Sequence, residues 1–95
     1  MWLVTSRKGP RTETNYTVGT SALLIAAANR NRKSITIQNQ GGETVFLGNA
    51  GVTNSGSDIG FALFTGTSFT DNASDDPWYA ISASTNNVLH VIEVT

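Results

Sequence analysis

The chain has 95 residues, which is the length of one small domain, and it contains no cysteine that could form a disulfide or act as a nucleophile. Its longest uninterrupted apolar run, residues 22–28, is too short to span a bilayer, and no signal-peptide apolar region follows Met1. The net charge is −1, yet all six basic residues and only one acid lie within residues 1–33, so this part carries +5 and the remainder −6.

Residues 1–14 mix basic, polar and turn-forming residues without apolar periodicity, and we expect them to form an extended basic arm. The arm begins with an apolar tip, which includes Trp2 and Leu3. A terminus that is apolar at its tip and basic behind it is suited to anchoring on a partner. We assign partner binding to Trp2, Leu3, Arg7, Lys8 and Arg11. The alternative for Trp2 is packing on the domain's own core.

From residue 15 onward the pattern is strand-like, and residues 15–95 are predicted to be a single β domain. Tyr16 and Val18 alternate with polar residues, residues 22–28 have a strand's length, and Ile35 and Ile37 alternate with polar residues. Gly41-Gly42 predicts a tight hairpin turn that needs positive backbone φ angles. The returning strand places the side chains at positions 45 and 47 on one face.

The composition of residues 48–60 predicts a long glycine-rich loop, in which the apolar side chain of Val52 is expected to be buried. Two short strands, 61–64 and 68–70, follow around a turn at Gly66, and residues 71–77 form a second polar loop. Residues 78–82 and 88–94 are expected to form the closing strand pair. These elements predict an all-β fold of about seven short antiparallel strands, a small β-sandwich or a barrel-like, jelly-roll-type domain. A small core that has no disulfide or structural metal to stabilise it also favours a homo-oligomer.

The residue types that catalysis requires do not occur in a useful pattern, so we expect no enzymatic activity. The single histidine, His90, lies in a strand, where a packed or hydrogen-bonded role is the ordinary one. Asp71, Asp75 and Asp76 miss the spacing of a calcium loop, and the glycines form no phosphate-binding motif. We therefore predict no metal, no cofactor and no small-molecule substrate.

Two further binding roles can be weighed from the residues alone. Arg30, Arg32 and Lys33 are close in sequence, but no aromatic stacking strip accompanies them, so they do not predict a nucleic-acid site. They could instead contact neighbouring subunits or a partner protein. Trp78 and Tyr79 could offer an exposed aromatic platform for a sugar, although adjacent strand residues point to opposite faces and only one can face outward.

The order of several short segments resembles small virion proteins of tailed bacteriophages. The segments are NRNRKSITIQN at 29–39, TVFLG at 44–48, VT at 52–53, WYAISA at 78–83 and VIEV at 91–94. The resemblance covers about residues 20–95 and implies a capsid decoration (cement) protein, or a head-fibre base, built on a β-sandwich.

Such a protein is expected to sit as a homotrimer on the outer capsid surface, to bind the major capsid protein, and to be made in the host bacterial cytoplasm. No nucleic acid or membrane partner is implied. Other virion positions (neck, tail or fibre attachment) and a carbohydrate-binding adhesion module remain the alternatives. The charge asymmetry would help a basic arm dock on an acidic capsid.

Overall fold

The computed structural model describes residues 9–95, which form eight β-strands and no helix. The strands are β1 (Arg11–Val18), β2 (Leu23–Ala26), β3 (Ser34–Asn39), β4 (Val45–Gly48), β5 (Phe61–Leu63), β6 (Ser68–Asp71), β7 (Trp78–Ser82) and β8 (Asn87–Val94). They form two antiparallel four-stranded sheets, sheet A in the order β1-β8-β3-β6 and sheet B in the order β2-β7-β4-β5. This strand order is that of a jelly roll, which confirms the predicted β-sandwich.

The core lies between the two sheets and follows the predicted alternation. Ile35 and Ile37 of β3 and Val45 and Leu47 of β4 are buried, while their chain neighbours within the strands are less buried or exposed. The other residues of the hydrophobic core are Val18, Ile25, Ala26, Leu63, Ala80, Leu89 and Val91, and the buried polar residues are Asn39, Ser82 and Asn87. Val52 is buried in the β4–β5 loop, as predicted.

The first strand begins earlier than the sequence indicated. Arg11 already pairs with Val94, and the pairing continues along β8 to Val18 and Asn87. Residues 11–14, which we expected in the arm, are therefore part of sheet A, because β8 is long enough to pair with all eight residues of β1. The rest of the predicted arm, apart from Gly9 and Pro10, lies outside the described residues.

The predicted hairpin at Gly41-Gly42 is wrong. β3 belongs to sheet A and β4 to sheet B, so residues 40–44 cross from one sheet to the other. Within residues 9–95, only Gly56 and Gly66 have positive φ angles. The need for glycine at position 41 is steric, because a Cβ there would overlap the side-chain amide of Asn87. At Gly66, in contrast, the φ angle of 79° matches the predicted turn.

We expect Gly41→Ala to lower the free energy of unfolding by about 2 kcal/mol, because the added methyl displaces a buried, hydrogen-bonded side chain. Gly42→Ala is the matched control, since a Cβ at Gly42 meets nothing within 4 Å and its φ angle is not positive. Urea unfolding of both variants checks this prediction. Equal stability of the two variants would contradict it.

The predicted closing pair of residues 78–82 and 88–94 is also wrong. β7 pairs with β2 and β4 in sheet B, and β8 pairs with β1 and β3 in sheet A. Of the strands that follow one another in the chain, only β4 and β5 are also paired within the described residues. The other connections carry the chain across the core from one sheet to the other.

The sandwich has two open sides. β1 and β2 are edge strands of the two sheets and are joined by residues 19–22, so they flank one side. β5 and β6 are the opposite edge strands, and the rings of Phe61 and Phe69 lie 5.1 Å apart across the gap between them. Each sheet therefore presents one edge on each side of the molecule.

Candidate interaction surfaces

Arg32 is used inside the monomer. Its side chain is fully buried, and its Nε donates to Glu93 Oε2 at 2.7 Å. Nη1 donates to the carbonyl of Asp76 at 2.7 Å, and Nη2 donates to the carbonyl of Ala27 at 2.7 Å. The guanidinium thus joins the β2–β3 loop, the β6–β7 loop and the end of β8. A subunit or capsid contact was predicted for Arg32, but its side chain is fully buried within the monomer.

The two neighbouring basic residues, Arg30 and Lys33, are exposed, unlike the side chain of Arg32. Lys33 is exposed and its Nζ donates to the carbonyl of Thr95 at 3.1 Å. Arg30 is exposed and lines a shallow groove together with Arg32, Asn72 and Asp75. The three side chains therefore have different environments, because the loop turns between them. Arg30 and Lys33 remain candidate contact residues.

Arg11 lies at the start of β1 and pairs with Glu13, with Nε and Oε2 2.9 Å apart. Both side chains are largely exposed, so this pair contributes little to stability. Trp2, Leu3, Arg7 and Lys8, the other residues assigned to the partner-binding arm, lie outside the described residues. Their role stays a prediction.

Trp78 and Tyr79 point to opposite faces of sheet B, as the alternation predicted. Trp78 packs against the core, lies edge-on to Phe69 with ring centroids 5.3 Å apart, and donates from Nε1 to Asp71 Oδ2 at 3.3 Å. Tyr79 is half-buried on the outer face, opposite Leu24 of β2. A groove of about 310 Å³ runs beside Trp78 and is lined by Gly48, Asn49, Ser74, Asp76 and Pro77. The contacts of Trp78 with Phe69 and Asp71 therefore fix the position of its side chain, which forms one wall of this groove.

His90 faces outward from the middle of sheet A. Its Nδ1 lies 2.6 Å from Asn15 Oδ1 and its Nε2 lies 3.0 Å from Glu13 Oε1. Both partners come from β1, whose Asn15 is the register partner of His90. These contacts agree with the hydrogen-bonded role expected for this histidine, and they hold the imidazole against β1.

The outer face of sheet A is polar but almost uncharged. The alternation and register bring together Arg11, Glu13, Asn15 and Thr17 of β1, Val88, His90, Ile92 and Val94 of β8, Ser34, Thr36 and Gln38 of β3, and Ser68 and Thr70 of β6. The charged pair Arg11–Glu13 sits at one edge. The centre consists of hydroxyl and amide groups around an aliphatic row, and Thr36 and Thr70 share a hydrogen bond of 2.9 Å. Depletion of charge at the centre of a surface is typical of protein interfaces.

Sheet B exposes apolar side chains at both of its edges, a feature that was not predicted from the sequence. The exposed fractions are 36% for Leu23 and 42% for Leu24 at the β2 edge, and 48% for Ile59, 55% for Phe61 and 61% for Phe64 around β5. The sequence did contain a sign of this exposure, because these short segments are apolar at successive positions and so have no polar face. Without the strand order, however, nothing indicated that these segments lie at edges.

The described residues 9–95 contain no group of three or more histidine, aspartate or glutamate residues that could hold a metal ion. This same range also has no helix with the length and hydropathy needed to cross a membrane.

Comparison with known proteins gives a likeness in fold alone. No family model matches the chain, and no curated protein matches it in sequence. A similar solved structure comes from the work described as "Bacillus endospore appendages form a novel family of disulfide-linked pili". It has 16% sequence identity and a TM-score of 0.50, and the match covers 100% of this chain and 96% of that one. The present chain has no cysteine with which to form a disulfide link.

Proposed function

We propose that this chain is a non-catalytic structural protein of a bacteriophage virion, which binds the outer surface of the assembled head as a homotrimeric decoration (cement) protein. The observation that carries the proposal is the outer face of sheet A, a broad surface whose two central strands, β8 and β3, present no lysine, arginine, aspartate or glutamate side chain. The sequence resemblance to phage virion proteins supplies the kind of partner, the major capsid protein.

The chemistry of this face suits a protein partner. An isolated soluble domain carries about a quarter of its residues as charged side chains, whereas this chain has 14%. Hydroxyl and amide groups lose less hydration energy on burial than charges do, and they can pair with a partner's backbone. The aliphatic row of Val88, Ile92 and Val94 supplies apolar area at the centre of the same face.

A decoration protein stabilises a shell by mass action. If it binds assembled capsid and not free subunits, occupancy shifts the assembly equilibrium toward the shell. Three linked copies that bind one capsid position gain avidity, because the second and third contacts form within one assembly. Basic residues of the N-terminal segment, Arg7, Lys8 and Arg11, would speed encounter with an acidic capsid surface more than they add affinity.

The proposal predicts that Val88→Glu weakens binding to undecorated capsids at least tenfold, because a carboxylate would be buried without a partner at the contact. Val88 is exposed, so the substitution leaves the core unchanged. Ser57→Glu, which adds the same charge in the exposed β4–β5 loop, is the matched control and is expected to bind like the unmodified protein. Co-sedimentation with purified shells measures both.

The same titration tests the partner. The unmodified protein is expected to saturate shells at a copy number set by their local three-fold positions. Saturation at an unrelated number, or binding to tails with none to heads, would overturn the decoration role and favour another virion position. Removing residues 1–14 is not a clean test of the arm, because it deletes half of β1.

A further inference from the structure

The two apolar edges of sheet B lie on opposite sides of the molecule. Leu23 and Leu24 mark the β2 edge, and Ile59, Phe61 and Phe64 mark the region of the β5 edge. Each of these side chains is more than a third exposed. Isolated exposed apolar residues are ordinary on proteins, but here they are grouped at the two ends of one sheet.

Neither edge strand carries the charged residues or prolines that commonly keep sheet edges apart. The residues of β2 (LLIA) and β5 (FAL) include no charged residue and no proline. An edge strand without such features leaves its outward N–H and C=O groups open to pairing with another chain. β1, at the edge of sheet A, differs because it carries Arg11 and Glu13.

The strand directions make the two edges complementary. Sheet B has four strands, each antiparallel to its neighbour, so its outer strands β2 and β5 run in opposite directions. When a second copy is placed beside the first in the same orientation, β5 of one meets β2 of the next in an antiparallel arrangement. This arrangement is the one that continues the existing ladder.

We propose that the chain associates with copies of itself head to tail, with the β5 edge of one copy against the β2 edge of the next. The proposal rests on the proposed homotrimer and names its contact surface. Phe61 is the anchor, because Phe69 stands 5.1 Å behind it and Trp78 stands 5.3 Å behind Phe69, so its ring is already held in place. In the neighbouring copy Leu23, opposite Ala80, faces the same side of sheet B as Phe61, and Leu24, opposite Tyr79, adds apolar surface on the other side of the same edge.

Side chains dominate this contact. The register of β2 against β7 shifts between Leu24 and Ala26, and this bulge bends the strand. Main-chain pairing to a neighbour is therefore limited to the start of β2, opposite the three residues of β5. Because the contact joins two different surfaces, its rotation per copy decides whether a ring closes or a filament grows. A ring that closes at three copies is the homotrimer of the proposed function.

The test uses two variants that each disable one edge. Phe61→Lys leaves only the β2 edge competent, and Leu24→Lys leaves only the β5 edge competent. Each variant alone is expected to weaken self-association about thirtyfold or more, the effect of losing an interface anchor. A mixture of the two is expected to form a one-to-one dimer that grows no further, because the two intact edges bind each other. Sedimentation velocity of the full chain, alone and mixed, measures this.

Controls separate the proposal from unfolding and from the capsid role. Phe64→Lys replaces Phe61→Lys if loss of the Phe69 contact unfolds the domain, and Thr85→Lys adds the same charge in the exposed β7–β8 loop, away from both edges. A monomeric unmodified protein would overturn the proposal. So would normal assembly of Leu24→Lys, which indicates a symmetric β5–β5 contact, or a mixture that forms no dimer. Capsid binding is measured independently, so self-association without shell binding would overturn the proposed function alone.

Discussion

Replacement of Arg32 by methionine is expected to lower the free energy of unfolding by about 3–4 kcal/mol, the range for breaking one partner of a buried ion pair. Methionine keeps the aliphatic stem but leaves Glu93 without its cation and the carbonyls of Ala27 and Asp76 without their donors. For a domain of this size that corresponds to a fall in Tm of about 12–30 °C. Thermal unfolding at fixed protein concentration measures it.

Two further substitutions define the cause. Arg32→Lys keeps the charge but is expected to restore little of the stability, because one ammonium cannot donate in the three directions that the guanidinium fork reaches. Arg30→Met is the matched control on an exposed arginine of the same loop and is expected to change stability by less than about 0.5 kcal/mol. If Arg32→Met and Arg30→Met unfold at the same temperature, Arg32 does not hold the loops together.

Replacement of Asn39 by leucine is expected to cost about 3–5 kcal/mol, although leucine is apolar and the site is fully buried. Asn39 Nδ2 donates to the carbonyls of Glu43 at 2.7 Å and Leu63 at 2.9 Å, and its Oδ1 accepts from the Gly41 N–H at 2.9 Å. Leucine leaves the Leu63 carbonyl and the Gly41 N–H without this side-chain partner in the protein interior, at about 1–3 kcal/mol for each group that water cannot reach, while the Glu43 carbonyl keeps its bond from Asn87. Urea unfolding checks this value.

Asn87 is the second half of the same network. Its Nδ2 donates to Asn39 Oδ1 at 3.3 Å and to the Glu43 carbonyl, and its Oδ1 accepts from the Glu43 N–H at 3.1 Å. The effects of Asn39→Leu and Asn87→Ala should therefore not add, and the double variant should lose less than their sum. Asn72→Ala, at an exposed loop asparagine, is the control. Additive losses would show that the two side chains stabilise the crossover independently.

The strands and their inward faces could be predicted from the sequence for a simple physical reason. Successive side chains of a strand point to opposite faces, so the alternation at Ile35, Ile37, Val45 and Leu47 shows which residues enter the core before any partner strand is known. The turn at Gly66 was equally local, because it depends on one backbone angle. The all-β class follows from such local signals.

Strand pairing could not be predicted, because alternation places a residue on a face without saying which strand lies beside it. A five-residue connection such as 40–44 can close a hairpin or cross between sheets, and here it crosses. The hairpin expectation at Gly41-Gly42 failed because a contact with Asn87, far along the chain, is what requires a glycine at position 41.

The roles of polar residues that depend on distant contacts could not be predicted from the sequence either. Arg32 resembled a surface charge in the sequence, since its acidic partner lies 61 positions away and only the folded chain brings the two together. The two apolar edges of sheet B became visible only with the strand order. A cysteine-free β domain with few charged residues could be inferred from the sequence alone, because these properties depend on composition and on the period of the apolar residues. Which polar groups are buried, and which strands of residues 9–95 lie at sheet edges, depends on contacts between distant segments, so only the folded chain shows them.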